Sequence, residues 1–440
     1  MNARALLLAA AASGSGKTTL TLGLIRALRN RGLRVGSAKV GPDFIDPAFH
    51  AVAGGRRSAT LDLWGMRERT LRSELAAVAA ESDIVLIEGV MGLFDGAREG
   101  VGSSAHLAKV FDLPIVLVLD VAAQATTAAA VAFGLARYDP ALRVCGAILN
   151  RVGSAGHAAT IVPSLEAIGI RSLGSLARDA ELALPERHLG LVQAREHREL
   201  ERFIERAATA CASQLDLDAL IELAAPLPDL VSSQESPLAP LGSHIAIADD
   251  LAFAFSYAHI TEGWRRAGAR LSTFSPLADE APHADADAVY LPGGYPELHA
   301  DKLAAAADFR AGMEAARARG ATIYGECGGY MVLGESLADR AAVEHAMLGF
   351  LPLQFSFARP RLHLGYREVR TLVDSPLASA GTRFRGHEFH FADVVGETAA
   401  EALFATNAGA DAATNVSRSM GMHRGRVQGS FLHILDRDAT

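Results

Sequence analysis

The sequence predicts an α/β fold with two domains, and two observations lead to that prediction. The first is a series of short runs of Val, Ile and Leu at residues 83–88, 114–120 and 144–150, which alternate with helical stretches. Continuous apolar strands separated by helices are typical of a parallel sheet covered on both faces. Ligands bind such sheets at the carboxyl ends of the strands. The polar residues that follow these strands are therefore the candidates for function.

The second observation is a break near the middle of the chain. Residues 227–243 contain three prolines and have neither helical nor strand periodicity, so we interpret them as a linker. A second α/β series follows, with strands expected at 244–248 and 288–292 and a helix around 253–267. The expected organisation is a first domain at 1–226, the linker at 227–243, and a second domain at 244–440.

Composition narrows the class of protein. Of the 440 residues, 50% are hydrophobic and 21% charged, and the net charge of −8 argues against non-specific binding of nucleic acid. No apolar run approaches the roughly 18 residues that span a bilayer, and the N-terminus lacks the pattern of a signal peptide. We expect a cytoplasmic protein without a membrane partner. The three cysteines, Cys145, Cys211 and Cys327, are too scattered for a disulfide framework or a structural zinc site.

A phosphate-binding loop is predicted at the N-terminus. The segment Ala10–Thr18, AAASGSGKT, lies between an apolar run and a helical stretch, so it is expected to form a strand, a tight loop and a helix. In such a loop the backbone N–H groups and the helix N-terminus bind phosphates, Lys17 reaches the terminal phosphates and Thr18 ligates Mg²⁺. Ala11 stands where the full pattern has Gly, and an ordinary Gly-rich turn is the alternative. The predicted ATP-binding residues are Ser13, Gly14, Ser15, Gly16, Lys17, Thr18 and Thr19.

A thiol nucleophile is predicted in the second half. The strand-like residues 321–326 lead directly into Cys327 and two glycines, after which helical spacing resumes. This is the layout of a nucleophile elbow, in which glycines permit a strained turn and the side chain at its apex faces the substrate. We expect the helix N-terminus to favour the thiolate. A buried structural cysteine is the alternative.

The base for that thiol is predicted to be His433. It is expected at the end of a strand-like stretch at 428–433, and Asp436 could orient its imidazole. Both assignments depend on the pairing with Cys327, since an isolated histidine is more often a surface or core residue.

The motifs around Cys327 and His433 resemble those of the triad, or class I, glutamine amidotransferase domain, which has a flavodoxin-like fold. The resemblance is carried by Gly-Glu-Cys-Gly-Gly-Tyr-Met at 325–331 and Gly-Ser-Phe-Leu-His at 429–433, and it implies that Cys327 attacks the glutamine amide. Residues 291–297, LPGGYPE, match the oxyanion loop of that family, whose backbone N–H groups at Gly293 and Gly294 would stabilise the tetrahedral intermediate. Ordinary members continue from the histidine as His-Pro-Glu. This chain has His-Ile-Leu, which is similar to the cobyric-acid branch.

The first half is similar to the a,c-diamide synthases of corrinoid biosynthesis, whose ATP domain resembles dethiobiotin synthetase. The similar segments are 39–50, 61–66 and 88–96. The resemblance implies an ATP- and glutamine-dependent ligase that amidates the a- and c-acetate groups of a corrin. It also implies Thr18, Asp43 and Glu88 as Mg²⁺ ligands. Asp46 and Asp95 would orient substrate or metal, or would simply form turns.

The implied substrate is hydrogenobyrinate, with cobyrinate or another tetrapyrrole as alternatives within the same class. Residues 64–67 and the Ala/Arg-rich composition favour the metal-free compound, hydrogenobyrinate, as the substrate. A P-loop switch ATPase with a non-catalytic amidotransferase-like domain is the alternative from another class. The expected partners are the corrinoid, glutamine and ATP, and a homodimer stays open.

A corrin with several carboxylates needs a positive surface, and residues 359–390 carry six arginines against three acidic residues. Arginine suits carboxylates because its guanidinium binds them through two parallel hydrogen bonds. Arg361 and His387 are the predicted substrate contacts in this segment. A charged strand face exposed to water is the alternative.

Overall fold

The computed structural model describes residues 3–183, 192–228, 230, 233, 235–397, 401–406 and 418–438. The chain divides into two compact units. Unit 1 comprises residues 1–64 and 68–232, and unit 2 comprises residues 65–67 and 233–440. Part of the predicted linker, at residues 229, 231, 232 and 234, lies outside the described residues.

The described part of unit 1 is a parallel sheet flanked by helices. Its strands are β1 (Arg4–Ala10), β2 (Val35–Val40), β3 (Ser58–Leu61), β4 (Ile84–Glu88), β5 (Pro114–Asp120), β6 (Arg143–Val152), β7 (Arg171–Ala177) and β8 (Ala225–Pro226). Its helices are α1 (Lys17–Asn30), α2 (Ile45–Gly54), α3 (Glu68–Ala80), α4 (Ser104–Phe111), α5 (Thr127–Tyr138), α6 (Ala155–Glu166), α7 (Leu200–Gln214) and α8 (Leu217–Leu223).

The strand order in unit 1 is β3-β2-β4-β1-β5-β6-β7, and the short β8 pairs antiparallel with the start of β1. β1 and β4 are buried almost throughout, which explains their unbroken apolar sequences. The predicted strands at 83–88, 114–120 and 144–150 and the α/β class are confirmed. Because β1 is central, its carboxyl end lies beside those of β4 and β5.

The described part of unit 2 contains a larger, mixed sheet and a small one. Its strands are β9 (His244–Ala248), β10 (Arg270–Phe274), β11 (Ala288–Leu291), β12 (Thr322–Glu326), β13 (Ser336–Ala338), β14 (Glu344–Ala346), β15 (Leu353–Ser356), β16 (His363–Thr371), β17 (Arg383–His390), β18 (Asp393–Glu397), β19 (Glu401–Thr406), β20 (Arg418–Arg424), β21 (Val427–Ser430) and β22 (Leu432–Arg437). Its helices are α9 (Ala258–Arg266), α10 (Ala300–Ala305), α11 (Ala307–Ala318) and α12 (Gly328–Leu333).

The large sheet of unit 2 has the order β10-β9-β11-β12-β21-β20-β19-β16-β17-β22. Its first five strands are parallel and the rest pair antiparallel. β13, β14, β15 and β18 form the small sheet. Apolar side chains of the parallel strands, such as Val289 and Ile323, pack with Phe309 and Met313 of α11 in one core.

Two boundaries in unit 2 differ from expectation. The helix expected around 253–267 begins at Ala258, because Phe253 lies in a turn in which its N–H donates to the Asp250 carbonyl. The stretch expected as one strand at 428–433 is divided at Phe431, so His433 is the second residue of β22. No described helix is both long and apolar enough to cross a membrane.

Gly65–Arg67 belong to unit 2, although the sequence analysis placed them in the first domain. The reason is an ion pair with Asp436 on β22. The Arg67 guanidinium donates to Asp436 Oδ1 from Nε at 2.9 Å and from Nη2 at 2.6 Å, and the Arg67 backbone N–H donates to Oδ2 at 3.0 Å. A Cβ on Gly65 would lie 2.2 Å from a methyl carbon of Leu435, so this glycine permits a close approach to β22.

Candidate active sites

The phosphate-binding loop of unit 1 joins β1 to α1, as the sequence predicts. Gly14 and Gly16 have φ values of 75° and 84°, a region that residues with a Cβ rarely adopt. A Cβ on Gly16 would also lie 2.2 Å from Nδ2 of Asn150, whose amide donates to the Ser15 carbonyl at 2.9 Å. The loop is therefore fixed both by its own glycines and by Asn150, which lies near the end of β6.

A cavity of about 360 Å³ opens over this loop. Six of the seven predicted ATP-binding residues line it: Ser13, Gly14, Gly16, Lys17, Thr18 and Thr19. The seventh, Ser15, is buried and its hydroxyl donates to the Ala12 carbonyl at 2.9 Å. Lys39, Asp46, Glu88 and Arg151 supply further polar or charged groups to the cavity.

The carboxylate of Glu88 lies at the centre of the polar groups beside the loop. Its Oε1 accepts hydrogen bonds from Thr18 Oγ1 and Lys39 Nζ, each at 2.7 Å, and its Oε2 lies 2.7 Å from His50 Nε2. Burial alone would raise the pKa of Glu88, but Lys39 and His50 hold it below its ordinary value. Glu88 is therefore an ionised, fully buried carboxylate at the carboxyl end of β4.

Of the three aspartates predicted near this site, Asp46 is the one that joins it. Its Oδ2 lies 3.4 Å from Thr18 Oγ1 and 2.5 Å from Lys39 Nζ. Burial and Asp43 raise the pKa of Asp46 to about 7, with Lys39 opposing them. The Asp43 carboxylate instead accepts hydrogen bonds from the N–H groups of Ile45 and Asp46 at the start of α2.

Asp95 is exposed, and its carboxylate accepts a hydrogen bond from the Gly92 N–H at 2.9 Å, which is the contact of a turn. Within the described ranges, no group of three His, Cys, Asp or Glu side chains is arranged to hold a metal. Of the three predicted Mg²⁺ ligands, Thr18 and Glu88 line the cavity, and their side-chain oxygens lie 2.7 Å apart. Two protein oxygens suit a Mg²⁺ ion whose other ligands are phosphate oxygens and water.

Cys327 of unit 2 lies between β12 and α12, in the strained turn that the sequence predicts. Its φ of 47° and ψ of −105° are unusual for a residue with a Cβ and cost roughly 1–3 kcal/mol. Its N–H donates to the Ser430 carbonyl at 2.8 Å, which ties the turn to β21. A Cβ on Gly329 would lie 1.9 Å from the Leu291 carbonyl oxygen, so only glycine permits this close approach.

The N–H group of Gly328 at the start of α12 lowers the pKa of the Cys327 thiol, as expected, but the burial of the sulfur outweighs it. Burial raises the pKa of the Cys327 thiol far above its ordinary value, and the Glu297 carboxylate adds to the shift. The N–H groups of Gly328 and Gly294 oppose it without overcoming it, because α12 is short and the sulfur is excluded from water. Cys327 therefore rests as a thiol and needs a base to remove its proton.

His433 lies next to Cys327 and is fully buried. A Cβ on Gly293 would lie 2.4 Å from His433 Cε1 and 3.3 Å from Cys327 Cβ, so both side chains border this one glycine. Burial, followed by the neighbouring His387 and His390, lowers the pKa of His433 well below its ordinary value. The imidazole is therefore neutral and able to accept a proton.

Two other predicted residues, Asp436 and His387, have different surroundings from those expected. Asp436 is held by Arg67, as described above, which gives its carboxylate a partner other than the imidazole. His387 is buried rather than displayed on a strand face; its ring stacks on His433 at 5.1 Å and its Nε2 lies 2.6 Å from the Tyr257 hydroxyl. Burial lowers the pKa of His387 to about 4.

The arginine-rich segment forms β16 and β17 and the loop before them. Arg361 is exposed in that loop. Arg367 pairs with Glu388 at 2.6 Å, and Arg385 pairs with Asp438 at 2.9 Å and with Glu368 at 3.3 Å. Part of the positive charge is thus balanced within the unit, which favours the interpretation as a charged strand face for these two arginines.

Four further polar residues at these sites were not predicted from the sequence: Lys39, His50 and Asn150 in unit 1 and Glu326 in unit 2. Glu326 is buried beside His433, with its Oε2 3.8 Å from His433 Nδ1. Each of the four lies in a segment that the sequence singled out, and three of them end or nearly end a strand. For Lys39, Asn150 and Glu326, the position at or near the end of a strand was the available signal.

Comparison with known proteins agrees with these geometries. Residues 6–192 match the CobQ/CobB/MinD/ParA nucleotide binding domain, and residues 244–439 match the CobB/CobQ-like glutamine amidotransferase domain. The chain is therefore a glutamine amidotransferase that also carries a nucleotide-binding domain.

Full-length relatives narrow the family. Hydrogenobyrinate a,c-diamide synthase of Brucella anthropi is 51% identical over 433 residues, 98% of each chain. The proteins of the same name from Mesorhizobium japonicum and Rhizobium meliloti are 48% and 50% identical and cover 99% and 98% of this chain and 99% of their own. The chain belongs to the hydrogenobyrinate a,c-diamide synthase family, and the predicted resemblance is confirmed.

Gly293→Ala is expected to lower glutamine-dependent turnover by about 100-fold, because the added methyl group would displace the His433 imidazole from the thiol. The measurement is glutamate release from glutamine. Gly134→Ala is the matched control, since a Cβ there meets nothing within 4 Å and should leave turnover unchanged. Undiminished turnover in Gly293→Ala would contradict the placement of the imidazole at this glycine.

Proposed function

We propose that this chain is an ATP- and glutamine-dependent ligase that converts the a- and c-acetate carboxylates of hydrogenobyrinate to primary amides. The observation that carries the proposal is the near full-length similarity, at about 50% identity, to relatives of that name. The phosphate-binding loop and the Cys327–His433 pair support it, because they supply the two half-reactions that such a ligase needs. We assign the first half-reaction to residues 1–226 and the second to residues 244–440.

In the first half-reaction, a substrate carboxylate oxygen attacks the γ-phosphorus of ATP, which gives an acyl phosphate and ADP. Lys17 and the loop N–H groups would neutralise the charge on the transferring phosphate. Thr18 and Glu88 would hold Mg²⁺, which supplies further neutralisation of the phosphate oxygens when it is bound. Glu88 suits this role because Lys39 and His50 keep it ionised. Ammonia then attacks the acyl carbon and phosphate leaves.

In the second half-reaction, His433 takes the proton of the Cys327 thiol as the sulfur attacks the glutamine amide carbon. The N–H groups of Gly293 and Gly294 would stabilise the oxyanion of the tetrahedral intermediate. His433 then protonates the leaving nitrogen, which departs as ammonia. Water hydrolyses the remaining thioester to glutamate, and the sulfur regains its proton.

Of the four residues that the sequence predicts as substrate contacts, we assign Asp46, Asp95 and Arg361 to the corrin and reassign His387 to the site around His433. Asp46 lies in the cavity of unit 1 and Arg361 is exposed, and both are compatible with substrate contact. The burial of His387 against His433 favours a role near glutamine. We place the reaction in the cytoplasm, where ATP and glutamine are supplied.

The test of this function is mass spectrometry of the products. The protein is incubated with ATP, Mg²⁺ and glutamine and, in parallel, hydrogenobyrinate or cobyrinate. Two successive losses of about 1 Da, as each OH becomes NH₂, are expected from hydrogenobyrinate. Conversion of cobyrinate alone would mean that cobyrinate, and not hydrogenobyrinate, is the substrate. If neither compound is converted while glutamine is still hydrolysed, the assignment as a ligase would stand and the assigned substrate would be wrong.

Cys327→Ala is expected to abolish glutamine-driven amidation and to retain amidation at high ammonia concentration, because the nucleophile is needed only to release ammonia. Product formation with each nitrogen source is the measurement. Cys145→Ala is the control, since this half-buried thiol has no assigned role. Loss of both activities in a folded Cys327→Ala protein would contradict the assignment of separate sites.

Lys17→Ala is expected to lower amidation with either nitrogen source by at least about 100-fold, because the charge that stabilises the transferring phosphate is lost. ADP release, measured together with product formation, checks this. The exposed Lys302→Ala is the control. Full activity in Lys17→Ala would overturn the ATP-site assignment.

A further inference from the structure

We infer that Glu326, the residue directly before the nucleophile, is the positioning residue that orients the His433 imidazole and stabilises its protonated form. The inference rests on the proposed function, because it assigns the third group of the glutamine-hydrolysing site. The residue two positions after His433 is Leu435, so a carboxylate for the imidazole must come from elsewhere in the chain. Glu326 would supply that carboxylate from a different strand.

The geometry places Glu326 on the side of the imidazole that bears Nδ1. Its Oε2 lies 3.8 Å from His433 Nδ1, and its Oε1 lies 3.4 Å from the N–H of Ile434, the next residue on β22. The separation from Nδ1 is longer than a hydrogen bond. Such catalytic contacts are often long without substrate and shorten when it binds.

The Glu326 carboxylate is itself held in place by two tyrosines. Tyr290 on β11 donates its hydroxyl proton to Oε2 at 2.9 Å, and Tyr324 on β12 donates to Oε1 at 2.9 Å. The two phenol rings are stacked 5.9 Å apart and are fully buried, which limits their movement. A carboxylate fixed by two donors can fix the histidine that it faces.

The other acidic residue near the imidazole in sequence, Asp436, is held by Arg67. Both oxygens of its carboxylate accept hydrogen bonds from Arg67, at 2.6–3.0 Å. Glu326 and Asp436 are both buried. Glu326 lies near His433 in the fold, and Asp436 lies three residues after it in the sequence. They therefore form a matched pair for experiment.

The surroundings of Glu326 also predict its response to pH. Burial raises the pKa of Glu326 to about 7, with Tyr290, Tyr324 and the Ile434 N–H opposing the shift. The pKa values of the other titratable groups of the cluster are shifted away from neutral pH. Burial raises the pKa values of Cys327, Tyr290 and Tyr324, and it lowers those of His433, His387 and His390.

Glu326 must be ionised to stabilise an imidazolium. Below pH 7 it is largely protonated and above pH 7 it is a carboxylate, so glutamine hydrolysis is expected to rise with pH through about 7. The Glu326→Gln variant keeps the shape of the side chain and can still accept from a tyrosine, but it has no ionisable group. It should lose that rise.

The experiment measures glutamate release against glutamine concentration from pH 5.5 to 9, with and without ATP, Mg²⁺ and hydrogenobyrinate. For Glu326→Gln we expect kcat to fall by about 100-fold or more, KM for glutamine to stay within about threefold, and the rise near pH 7 to vanish. Glu326→Asp should restore part of kcat and the pH dependence. Asp436→Asn should lower the melting temperature and leave kcat and the pH profile unchanged.

A Glu326→Gln protein with kcat within about threefold of wild type would overturn the assignment. So would a Glu326→Gln protein that loses kcat but keeps the rise near pH 7, or an Asp436→Asn protein that loses kcat and the pH dependence at an unchanged melting temperature. Absence of glutamine hydrolysis in the wild-type protein would overturn the proposed function together with this assignment. Wild-type hydrolysis combined with an undiminished variant would overturn this assignment alone.

Discussion

A carboxylate removed from water must be paired, and each unit of this protein meets that constraint in a different way. Glu88 in unit 1 is surrounded by an ammonium, an imidazole and a hydroxyl, which keep it ionised. Glu326 in unit 2 receives two tyrosine hydroxyls, with a longer contact to a backbone N–H, and burial raises its pKa to about 7. A carboxylate that stays charged is suited to bind a cation, which in turn binds phosphate oxygens. A carboxylate with a pKa near 7, such as Glu326, can stabilise a neighbouring imidazole that gains and loses a proton during the reaction.

The burial of ionisable groups also determines how the Cys327–His433 pair reacts. A buried thiol with a raised pKa beside a buried, neutral imidazole is a pair in which neither group is charged at rest. Charge forms only when the proton moves from sulfur to nitrogen, and the groups that stabilise the two charges are then the N–H groups around the sulfur and the acid beside the ring. Desolvation thus raises the cost of premature ionisation and makes preorganised partners more effective.

Sequence alone predicted the features that depend on local order. β1, β4, β5 and the phosphate-binding loop follow from apolar runs and glycines that are contiguous in the chain, and the turn at Cys327 follows from its flanking glycines. The antiparallel half of the large sheet in unit 2 was not predicted, because pairings such as β17 with β22 join residues 44–53 positions apart. The periodicity of β16 and β17 gave no sign of which strands they would join.

The same distinction between local and long-range contacts applies to the residues of the two sites. Lys39 and Glu88 are 49 residues apart and meet through the register of β2 with β4, which no spacing rule reveals. The sequence indicated the helix terminus that favours the thiolate, but it gave no measure of the burial that raises the pKa of the Cys327 thiol. The contact of Asp436 with Arg67 was not predicted, because the two residues lie 369 positions apart in the chain. Contacts over such separations depend on the tertiary fold.

The ion pair between Arg67 and Asp436 affects which fragments of this protein can be stable on their own. Asp436 has no exposed surface, and the guanidinium that compensates it comes from a three-residue segment near the start of the chain. A fragment that begins at the second half would leave this carboxylate buried without Arg67, at a cost of roughly 3–5 kcal/mol. Boundaries drawn from contiguous sequence would therefore weaken the unit they aim to isolate. Unit 2 is compact in space, but it is built from two separate segments of the chain, residues 65–67 and 233–440.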